Sequence, residues 1–474
     1  MAIPQEIRNV ERPKGTVIKY ASGYYYVVKR TSVYKKGRRV PKDLGIVGKI
    51  IDGKYVQYEN AVLKNQKEID IKNYGEVALF NKAAIEVLKE LKDVYDEKTA
   101  EKLYVIALLR ATNYDLTNRD LKHEYDYSFL SILYPNVSLA ESTMPGFLED
   151  LGAAYLRIEQ FMRNRVSKTF KDTILVDGTL KSYNSKSSMF SDWSRKGRVK
   201  GCKDFSILYS YDINTGEPIS AKPYTGNMLD STAFEDFINH FNANNNLFIM
   251  DKGFWNQKDI DKIKENDKAK FIIPIKNNSK IIRDNDLLNN YQILENYNED
   301  VILFNKKIIG EKIYYIFKNK TDSMIQENAY LEKEKKKNSF NNAKYQAKIK
   351  EFGVVVFESN YDTNPIEIYK AYESRWNIEL MFKFYKNVLD ITTTSVHNDY
   401  RVYGTEFINY LSLIISSKVK KELDKHKLLE KYSFKQIMRY LSKYKKCRVF
   451  DKRQEWRNNQ LLGYINDIVK VLDI

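Results

Sequence analysis

The chain has 474 residues, of which 43% are hydrophobic, and it carries a formal net charge of +17 at pH 7. It is too long for one ordinary hydrophobic core, so we expect about two to four compact units. Its two cysteines and four histidines are widely separated, which excludes a disulfide scaffold and a zinc site and leaves carboxylates as the ligands of any metal ion. No apolar run approaches the roughly 20 residues of a membrane-spanning helix, and the first residues lack the apolar core of a secretory signal.

The positive charge is concentrated in a few segments of the chain. Residues 12–42 contain ten Lys and Arg and no acid, residues 181–203 contain seven and one acid, and residues 431–448 contain seven and no acid. Local basic patches are the electrostatic footprint of a polyanionic partner. We expect nucleic acid rather than an anionic membrane surface, because the N-terminus shows no basic amphipathic helix with an aromatic apolar face.

The first 60 residues are predicted to form a β-rich, basic N-terminal domain. The segments GTVIKY, YYYVVKRTSVY and RRVPKDLGIVGKII are rich in β-branched and aromatic residues, and Ser-Gly, Lys-Gly and Asp-Gly turns punctuate them. Residues 61–166 change to apolar residues at three-and-four spacing, as in ALFNKAAIEVLKELKDVY. This spacing predicts a helical region.

Strands mixed with helices in the following residues predict an α/β core that is interrupted by an insertion. The first part of the core, residues 167–275, contains TILVDGT, FSILYSYDINTGEPISAKPY and NNLFIMDKGFW, with the helix-like STAFEDFINHF before the last of these. The insertion, residues 276–350, is rich in Asn and Lys and has VILFNKK and EKIYYIFKN as strand candidates. Residues 351–406 form the second part of the core, and residues 407–474 are predicted to be helical and basic.

Two aspartates, Asp177 and Asp251, each follow an apolar strand candidate directly, TILV in one case and LFIM in the other. A buried carboxylate at such a place costs several kcal/mol unless it is paired or binds a metal ion. An acid at the end of a strand also commonly caps a turn, so either residue alone is weak evidence for catalysis.

A third acid lies in AYESRWNIELMFKFYK, a segment of helical character that begins at residue 371. Four of its polar residues have offsets of 0, 3, 7 and 14: Tyr372, Arg375, Glu379 and Lys386. Because a helix turns about 100° per residue, these offsets share one stripe roughly 60° wide. Apolar residues occupy most of the remaining circumference, so we expect the stripe to face a cleft. The structural alternative is a pair of ordinary i, i+4 ion pairs, formed by Glu379 with Arg375 and with Lys383.

Convergence of Asp177, Asp251 and Glu379 would place three carboxylates together with no histidine nearby. They would repel one another unless divalent cations neutralised them, and hard oxygen ligands suit Mg²⁺ or Mn²⁺. Two such ions about 4 Å apart activate an attacking water or hydroxyl and stabilise the departing oxygen in phosphodiester chemistry. A basic chain that binds polyphosphate supplies the matching substrate.

The spacing Y-x2-R-x3-E-x6-K resembles the signature of bacterial insertion-sequence transposases of family four. Asp177 in LVDGT and Asp251 in IMDKGFW resemble the two aspartates of that family's Asp-Asp-Glu (DDE) triad, and GNMLDSTAF and FGVVVFESN also read like its members. The resemblance is strongest over residues 173–386. Lys252 stands where that family often has Arg, and the N-terminus is a Tyr-rich sheet rather than an obvious helix-turn-helix.

This resemblance implies an α/β fold: a ribonuclease-H-like mixed-sheet catalytic core with a largely β insertion, a small β-rich N-terminal domain and helical flanking regions. It implies that Asp177, Asp251 and Glu379 are catalytic and bind two Mg²⁺ or Mn²⁺ ions. The same analogy assigns DNA contacts to Tyr372, Arg375, Lys383, Lys386 and Trp255. Trp255 would stack on an extruded base, with plain core packing as the alternative.

The implied activity is that of a DNA transposase, an endonuclease that cleaves insertion-sequence ends and joins them to target DNA during DNA recombination. We expect a homodimer on paired DNA ends with inverted repeats, associated with the nucleoid in the bacterial cytoplasm, and we expect the basic N-terminal domain to bind the ends. Two alternatives stay open. One is an inactive or domesticated relative that only binds DNA, and the other is a ribonuclease-H-like nuclease acting on RNA or branched DNA.

Overall fold

The structure is a computed structural model of the chain. It describes all residues except 1–2, 36–37, 58–68, 114–115, 169–172, 184, 186–187, 194–202, 229, 242–245, 251–269, 278, 296–299, 338–339, 375–397 and 450–454. Within the described residues, no helix is both long enough and apolar enough to cross a membrane.

Apart from one short N-terminal helix, the described residues begin with a run of strands, continue with a run of helices up to Lys168, and then mix strands and helices. The strands are β1 (Thr16–Ala21), β2 (Tyr24–Lys35), β3 (Arg38–Ile51), β4 (Lys54–Gln57), β5 (Ile69–Asn73), β6 (Thr173–Ser182), β7 (Asp204–Asp212), β8 (Pro218–Thr225), β9 (Leu247–Met250), β10 (Lys270–Ile275), β11 (Gln292–Ile293), β12 (Ile302–Ile309), β13 (Lys312–Asn319), β14 (Val354–Ser359), β15 (Lys445–Val449) and β16 (Trp456–Asn458). The helices are α1 (Gln5–Arg8), α2 (Gly75–Lys92), α3 (Glu97–Thr112), α4 (Leu121–Tyr127), α5 (Leu130–Leu133), α6 (Met144–Ala153), α7 (Tyr155–Lys168), α8 (Asp230–Phe241), α9 (Lys280–Asp284), α10 (Lys320–Lys337), α11 (Asn342–Lys348), α12 (Asp399–Lys425), α13 (Leu428–Lys431), α14 (Phe434–Leu441) and α15 (Gly463–Leu472). Residues 365–374 are also helical.

The chain divides into two compact units. The smaller unit consists of residues 1–72 and 445–460, and the larger unit consists of residues 73–444 and 461–474. The domain boundaries predicted from the sequence are finer than this division and stay predictions.

The smaller unit contains an antiparallel sheet of four strands in the order β1-β2-β3-β4. Two of its turns, Ser22-Gly23 and Asp52-Gly53, have positive φ at both residues. Two-residue turns of this kind match the right-handed twist of the strands they join, and Gly adopts positive φ without strain. The β-branched and aromatic segments of the first 60 residues therefore form strands, as their composition predicts.

A second sheet in the smaller unit has the order β16-β15-β5 and joins strands from both ends of the chain. The prediction of a helical C-terminal region misses β15 and β16, although the described helices of that region agree with it. Arg448 pairs across the ladder with Trp456, and its guanidinium lies 4.7 Å from the centre of that ring. This pairing is a long-range contact, which the local periodicity of a basic segment does not reveal.

The larger unit is built on a mixed sheet of nine strands in the order β11-β12-β13-β14-β10-β9-β6-β7-β8. β9 pairs in parallel with β6 and with β10, while the other neighbours in the sheet are antiparallel. The helix α12 is buried along most of its length, from Val402 to Leu423. It belongs to one large hydrophobic core that also includes residues of the sheet and of α2, α3, α6 and α7.

The insertion predicted over residues 276–350 is of mixed structure, so the expectation of a largely β insertion is wrong. Its described residues include the hairpin β12–β13 and the three helices α9, α10 and α11. β13 pairs with β14, so the hairpin extends the main sheet. The lysine run EKEKKK lies in α10, where Glu and Lys are strong helix formers.

Candidate active site

Asp177 lies on β6, between two neighbouring strands. On one side β6 pairs in parallel with β9, and the last pair of that ladder is Val176 with Met250. On the other side β6 pairs with β7 as far as Ser182. The prediction that an apolar strand ends just before Asp177 is therefore wrong, because β7 remains a partner beyond that point. Only the parallel ladder ends there.

A residue on the same face of β6 as Asp177 forms a buried ion pair. Alternate residues of a strand project to the same face, so Asp177 shares its face with Thr179 and Lys181. Asp177 is half-buried, while the side chain of Lys181 is fully buried. The Lys181 ammonium lies 2.5 Å from a carboxylate oxygen of Glu406 in α12, which is also buried. Lys181 is about 13 Å from Asp177 along the strand.

The charge of Glu406 also affects the pKa of two further residues, the buried Tyr209 and the half-buried Arg110. Tyr209 is the register partner of Asp177, and burial raises the pKa of Tyr209 well above its usual value, with the charge of Glu406 adding to the shift. Burial lowers the pKa of Arg110, and the same charge opposes that shift. The strand that carries Asp177 is thus anchored in a water-poor polar cluster, where charged groups are costly unless paired.

Tyr372, the first residue of the helical stripe, lies in the described helical residues 365–374. Its half-buried ring packs edge-on against Phe357 of β14, with 5.0 Å between ring centroids, and lies 6.4 Å from the ring of Tyr369. Packing thus fixes the Tyr372 ring against the main sheet. The prediction of a helix in this region is confirmed as far as residue 374.

The remaining predicted site residues lie outside the described part of the chain: Asp251, Trp255, Arg375, Glu379, Lys383 and Lys386. Their convergence on Asp177 and Tyr372 stays a prediction. Among the residues that the structure does describe, no group of three or more His, Cys, Asp or Glu side chains is arranged to hold a metal ion.

The buried pair of Lys181 and Glu406 is a feature that the sequence prediction missed. One signal for it exists in the sequence. Glu406 is the single acid in the otherwise apolar or uncharged segment YGTEFINYLSLIISS. A charged acid is rarely buried unless it is paired, so a lone acid in such a segment points to a buried cation. Lys181 is the cation that β6 supplies, and its side chain is fully buried.

Comparison with known proteins bears on the family of this chain. No curated protein matches it. Among solved structures, it is similar to piggyBac transposase in a cryo-EM synaptic complex with hairpin DNA, with 12% sequence identity, a TM-score of 0.37, and coverage of 84% of this chain and 85% of that chain. A TM-score this low does not establish a shared fold.

The family model described as "Transposase DDE domain" matches residues 168–413, which is just over half of the chain. The matched range includes Asp177, Asp251 and Glu379, and it extends into α12. The chain therefore belongs to the transposase DDE domain family.

Proposed function

We propose that this chain is an active DNA transposase of the family-four type found in bacterial insertion sequences. It would cleave DNA at the ends of its element and join those ends to target DNA. Family membership supports the transposase function. The finer assignment depends on the order of Asp177, Asp251 and Glu379 and on the Y-x2-R-x3-E-x6-K spacing.

The observation that carries this proposal is the register of β6 and β9. Val176 and Met250 form the last pair of the parallel ladder, and each is followed in the sequence by an aspartate, Asp177 and Asp251. Neighbouring strands are about 4.8 Å apart, and the carboxyl ends of parallel strands meet at the same edge of a sheet. The proposal therefore puts the two carboxylates side by side.

The donor set fits two Mg²⁺ or Mn²⁺ ions. All three proposed ligands, Asp177, Asp251 and Glu379, are carboxylates, and carboxylates are the ligands these hard cations prefer. When bound, the ions would activate the attacking oxygen and stabilise the departing one. Of the three proposed ligands, Asp177 is on a strand with two neighbours, and Lys181 fixes that strand to α12.

The reaction would be a displacement at phosphorus. An oxygen of water, or of a DNA 3′-hydroxyl, forms a new P–O bond and loses its proton, while the bond from phosphorus to the departing 3′-oxygen breaks and that oxygen gains a proton. We assign phosphate contacts near the reacting bond to Tyr372, Arg375, Lys383 and Lys386. We assign stacking on an extruded base to Trp255, since aromatic stacking on a base contributes about 1–3 kcal/mol.

The strand arrangement supports a ribonuclease-H-like core. The antiparallel strands β8, β7 and β6 are followed in the sheet by β9 and β10, which run parallel to β6. The basic N-terminal domain would bind the DNA ends, and a homodimer would pair two ends with inverted repeats. A bacterial transposase of this kind would act at the nucleoid.

The experiment is a cleavage assay on linear duplex DNA that carries the sequences flanking the reading frame, with Mg²⁺. The expected result is cutting by the wild-type chain and none by Asp177→Asn, Asp251→Asn or Glu379→Gln, while each variant still binds the duplex. The matched control is Asp362→Asn, because Asp362 is an exposed acid within the family match. If one of the three variants cuts like the wild type, its residue is not a ligand.

A binding protein without chemistry is the second candidate. It would be favoured if the wild-type chain bound the flanking DNA and broke no strand with Mg²⁺ or Mn²⁺. A ribonuclease-H-like nuclease would differ from a transposase in its substrate, since it would cut an RNA–DNA hybrid better than the flanking duplex.

A further inference from the structure

The β2–β3 hairpin extends beyond the rest of the four-stranded sheet. β1 pairs with β2 only from Tyr24 to Lys29, and β4 pairs with β3 only from Gly48 to Ile51. The six pairs between residues 30–35 and residues 38–43 are formed by β2 and β3 alone among the described strands. These residues form a two-stranded ribbon, which we call the β2–β3 ribbon.

The base of the β2–β3 ribbon has two irregularities in the strand pairing, next to Val28 and next to Lys29. Gly45 lies opposite Lys29 with a φ of +140°, a conformation that side chains disfavour. Such bulges bend a strand and increase its twist. Arg30 and Lys19 both form ion pairs with Asp43 at this position, which ties the start of the ribbon to β1. The ribbon is thus a defined extension with a fixed base.

The β2–β3 ribbon is exposed and strongly basic. Residues 38–43 are all exposed, and Tyr34 is 72% exposed. Residues 30–43 contain six Lys and Arg and one acid, Asp43. The whole smaller unit carries 22 Lys and Arg against 9 Asp and Glu, a net charge of +13 out of +17 for the chain.

The exposure and the charge of the β2–β3 ribbon together point to a polyanionic partner. A two-stranded ribbon is at best marginally stable on its own in water, and natural proteins usually cover, shorten or charge an exposed strand edge. Charge here protects the edges of the ribbon. The same positive charge attracts polyanions, so charge complementarity indicates that the partner of the ribbon is a polyanion.

We propose that the β2–β3 ribbon inserts into the major groove of duplex DNA. The major groove is about 12 Å wide and admits a two-stranded ribbon, while the minor groove is only about 6 Å wide. Six residue pairs span about 20 Å, enough to follow the groove past several base pairs. Arg38, Arg39 and Lys42 then reach phosphates or base edges, and Tyr34 packs beside Arg39, whose guanidinium is 5.7 Å from the centre of the Tyr34 ring.

This inference takes from the proposed function only that the polyanion is duplex DNA. It adds which element of the chain reads the duplex and in which groove. The chemistry of Asp177 does not enter, so the two proposals can fail separately.

The experiment uses the full chain and a 30-base-pair mixed-sequence duplex, made once with ordinary cytosine and once with glucosylated 5-hydroxymethylcytosine. The glucose fills the major groove and leaves the phosphate charge unchanged. We expect at least tenfold weaker binding to the glucosylated duplex. The variant Arg38→Ala/Arg39→Ala should bind the ordinary duplex at least tenfold more weakly than the wild type, and it should lose most of the difference between the two duplexes.

The matched control is Lys14→Ala/Lys54→Ala, which removes the same charge from exposed positions of the smaller unit outside the ribbon. It should weaken binding to both duplexes alike and keep the difference between them. Thermal unfolding of each variant establishes that it folds, as the exposure of Arg38 and Arg39 leads us to expect.

Equal affinity of the wild-type chain for the two duplexes would overturn the proposal. So would equal or tighter binding to duplex RNA of the same sequence, whose deep and narrow major groove excludes side chains, or to vesicles containing anionic lipid. Loss of DNA cleavage in Asp177→Asn with the groove preference retained would be a result about the active site, and it would leave the ribbon proposal intact.

Discussion

The ammonium of Lys181 and the carboxylate of Glu406 lie 2.5 Å apart inside the larger unit, with Lys181 fully buried and Glu406 nearly so. Lys181 is on the strand that carries Asp177, and Glu406 is on α12, which follows the chain segment that contains Glu379. A buried ion pair is weak evidence for stability by itself, because the desolvation cost offsets the attraction. Its role here is to fix one strand against one helix.

The first prediction concerns this pair. Lys181→Met leaves Glu406 buried without its cation, so the free energy of unfolding should fall by about 3–5 kcal/mol. The double variant Lys181→Met/Glu406→Leu removes both charges and should recover most of the loss. Urea denaturation of the three proteins measures this. Lys122→Met breaks an exposed pair with Asp126 and should cost less than about 1 kcal/mol. A Lys181→Met variant as stable as the wild type would contradict the account.

A second prediction concerns the close packing of α6 against α12. A Cβ atom added at Gly404 would lie 2.2 Å from the carbonyl oxygen of Leu148. Gly404→Ala must push the two helix backbones apart, so we expect a loss of about 1–3 kcal/mol or more. Gly146→Ala is the matched control, because a Cβ there meets nothing within 4 Å and alanine favours a helix over glycine. In thermal unfolding, Gly404→Ala should melt at a lower temperature than Gly146→Ala. Equal melting temperatures would show that the two helices can move apart without a loss of stability.

The third prediction concerns the charge at the base of the β2–β3 ribbon. Hydrogen bonds from Arg30 and then from Lys19 lower the pKa of Asp43 to about 2. Asp43→Asn frees both cations, so duplex DNA should bind more tightly at low salt. The slope of log Kobs against log[salt] should steepen by about 1–2, because each new phosphate contact adds about 0.9. A salt titration of wild type and variant measures this, and a shallower slope in the variant would count against a phosphate-binding ribbon.

The same pKa sets the pH dependence of this effect. The folded-state pKa is depressed, so the stabilising contribution of Asp43 is present above the unfolded pKa near 3.9 and is lost as pH falls through about 2. Between pH 5 and pH 8 the carboxylate stays ionised. The difference between wild type and Asp43→Asn in DNA affinity should therefore be constant across that range, as fluorescence anisotropy at several pH values would show.

A fourth prediction separates the two roles of Tyr372. Its ring packs on Phe357, while its hydroxyl is the group we assign to a phosphate. Tyr372→Phe keeps the ring and its contact with Phe357, so cleavage should fall while this variant stays more stable than Tyr372→Ala. Tyr372→Ala should lose stability as well, by roughly 1–3 kcal/mol, because aromatic contacts and apolar burial are both removed. Full cleavage by Tyr372→Phe would limit this residue to packing.

The sequence was informative where local chemistry decides structure. Segments rich in β-branched and aromatic residues predict the β structure of the first 60 residues, and apolar spacing predicts the helices α2 and α3. In both cases a few neighbouring residues determine the outcome, so no knowledge of distant contacts is needed. The assignment of Asp177 as a metal ligand stays a prediction.

The sequence predictions were wrong or incomplete where contacts between residues distant in the sequence determine the structure. β15 is a strand because it pairs with β16 and with β5, and β5 lies more than 350 residues away in the sequence. β6 continues past Asp177 because β7 pairs with it there. The Lys181–Glu406 pair joins residues more than 200 positions apart. Tertiary pairing of this kind overrides local propensity and leaves little trace in a single sequence.

The most direct test of the central claim, that Asp177 is a metal ligand of a DNA-cleaving site, is the metal dependence of Asp177→Cys. A thiolate is a poor ligand for Mg²⁺ and a better one for softer ions. Cleavage of the flanking duplex by this variant should be absent with Mg²⁺ and return with Mn²⁺, while Asp177→Asn stays inactive with both. The claim would be contradicted if Asp177→Asn cleaved the duplex as well as the wild type does with Mg²⁺, or if Asp177→Cys were equally active with the two metals.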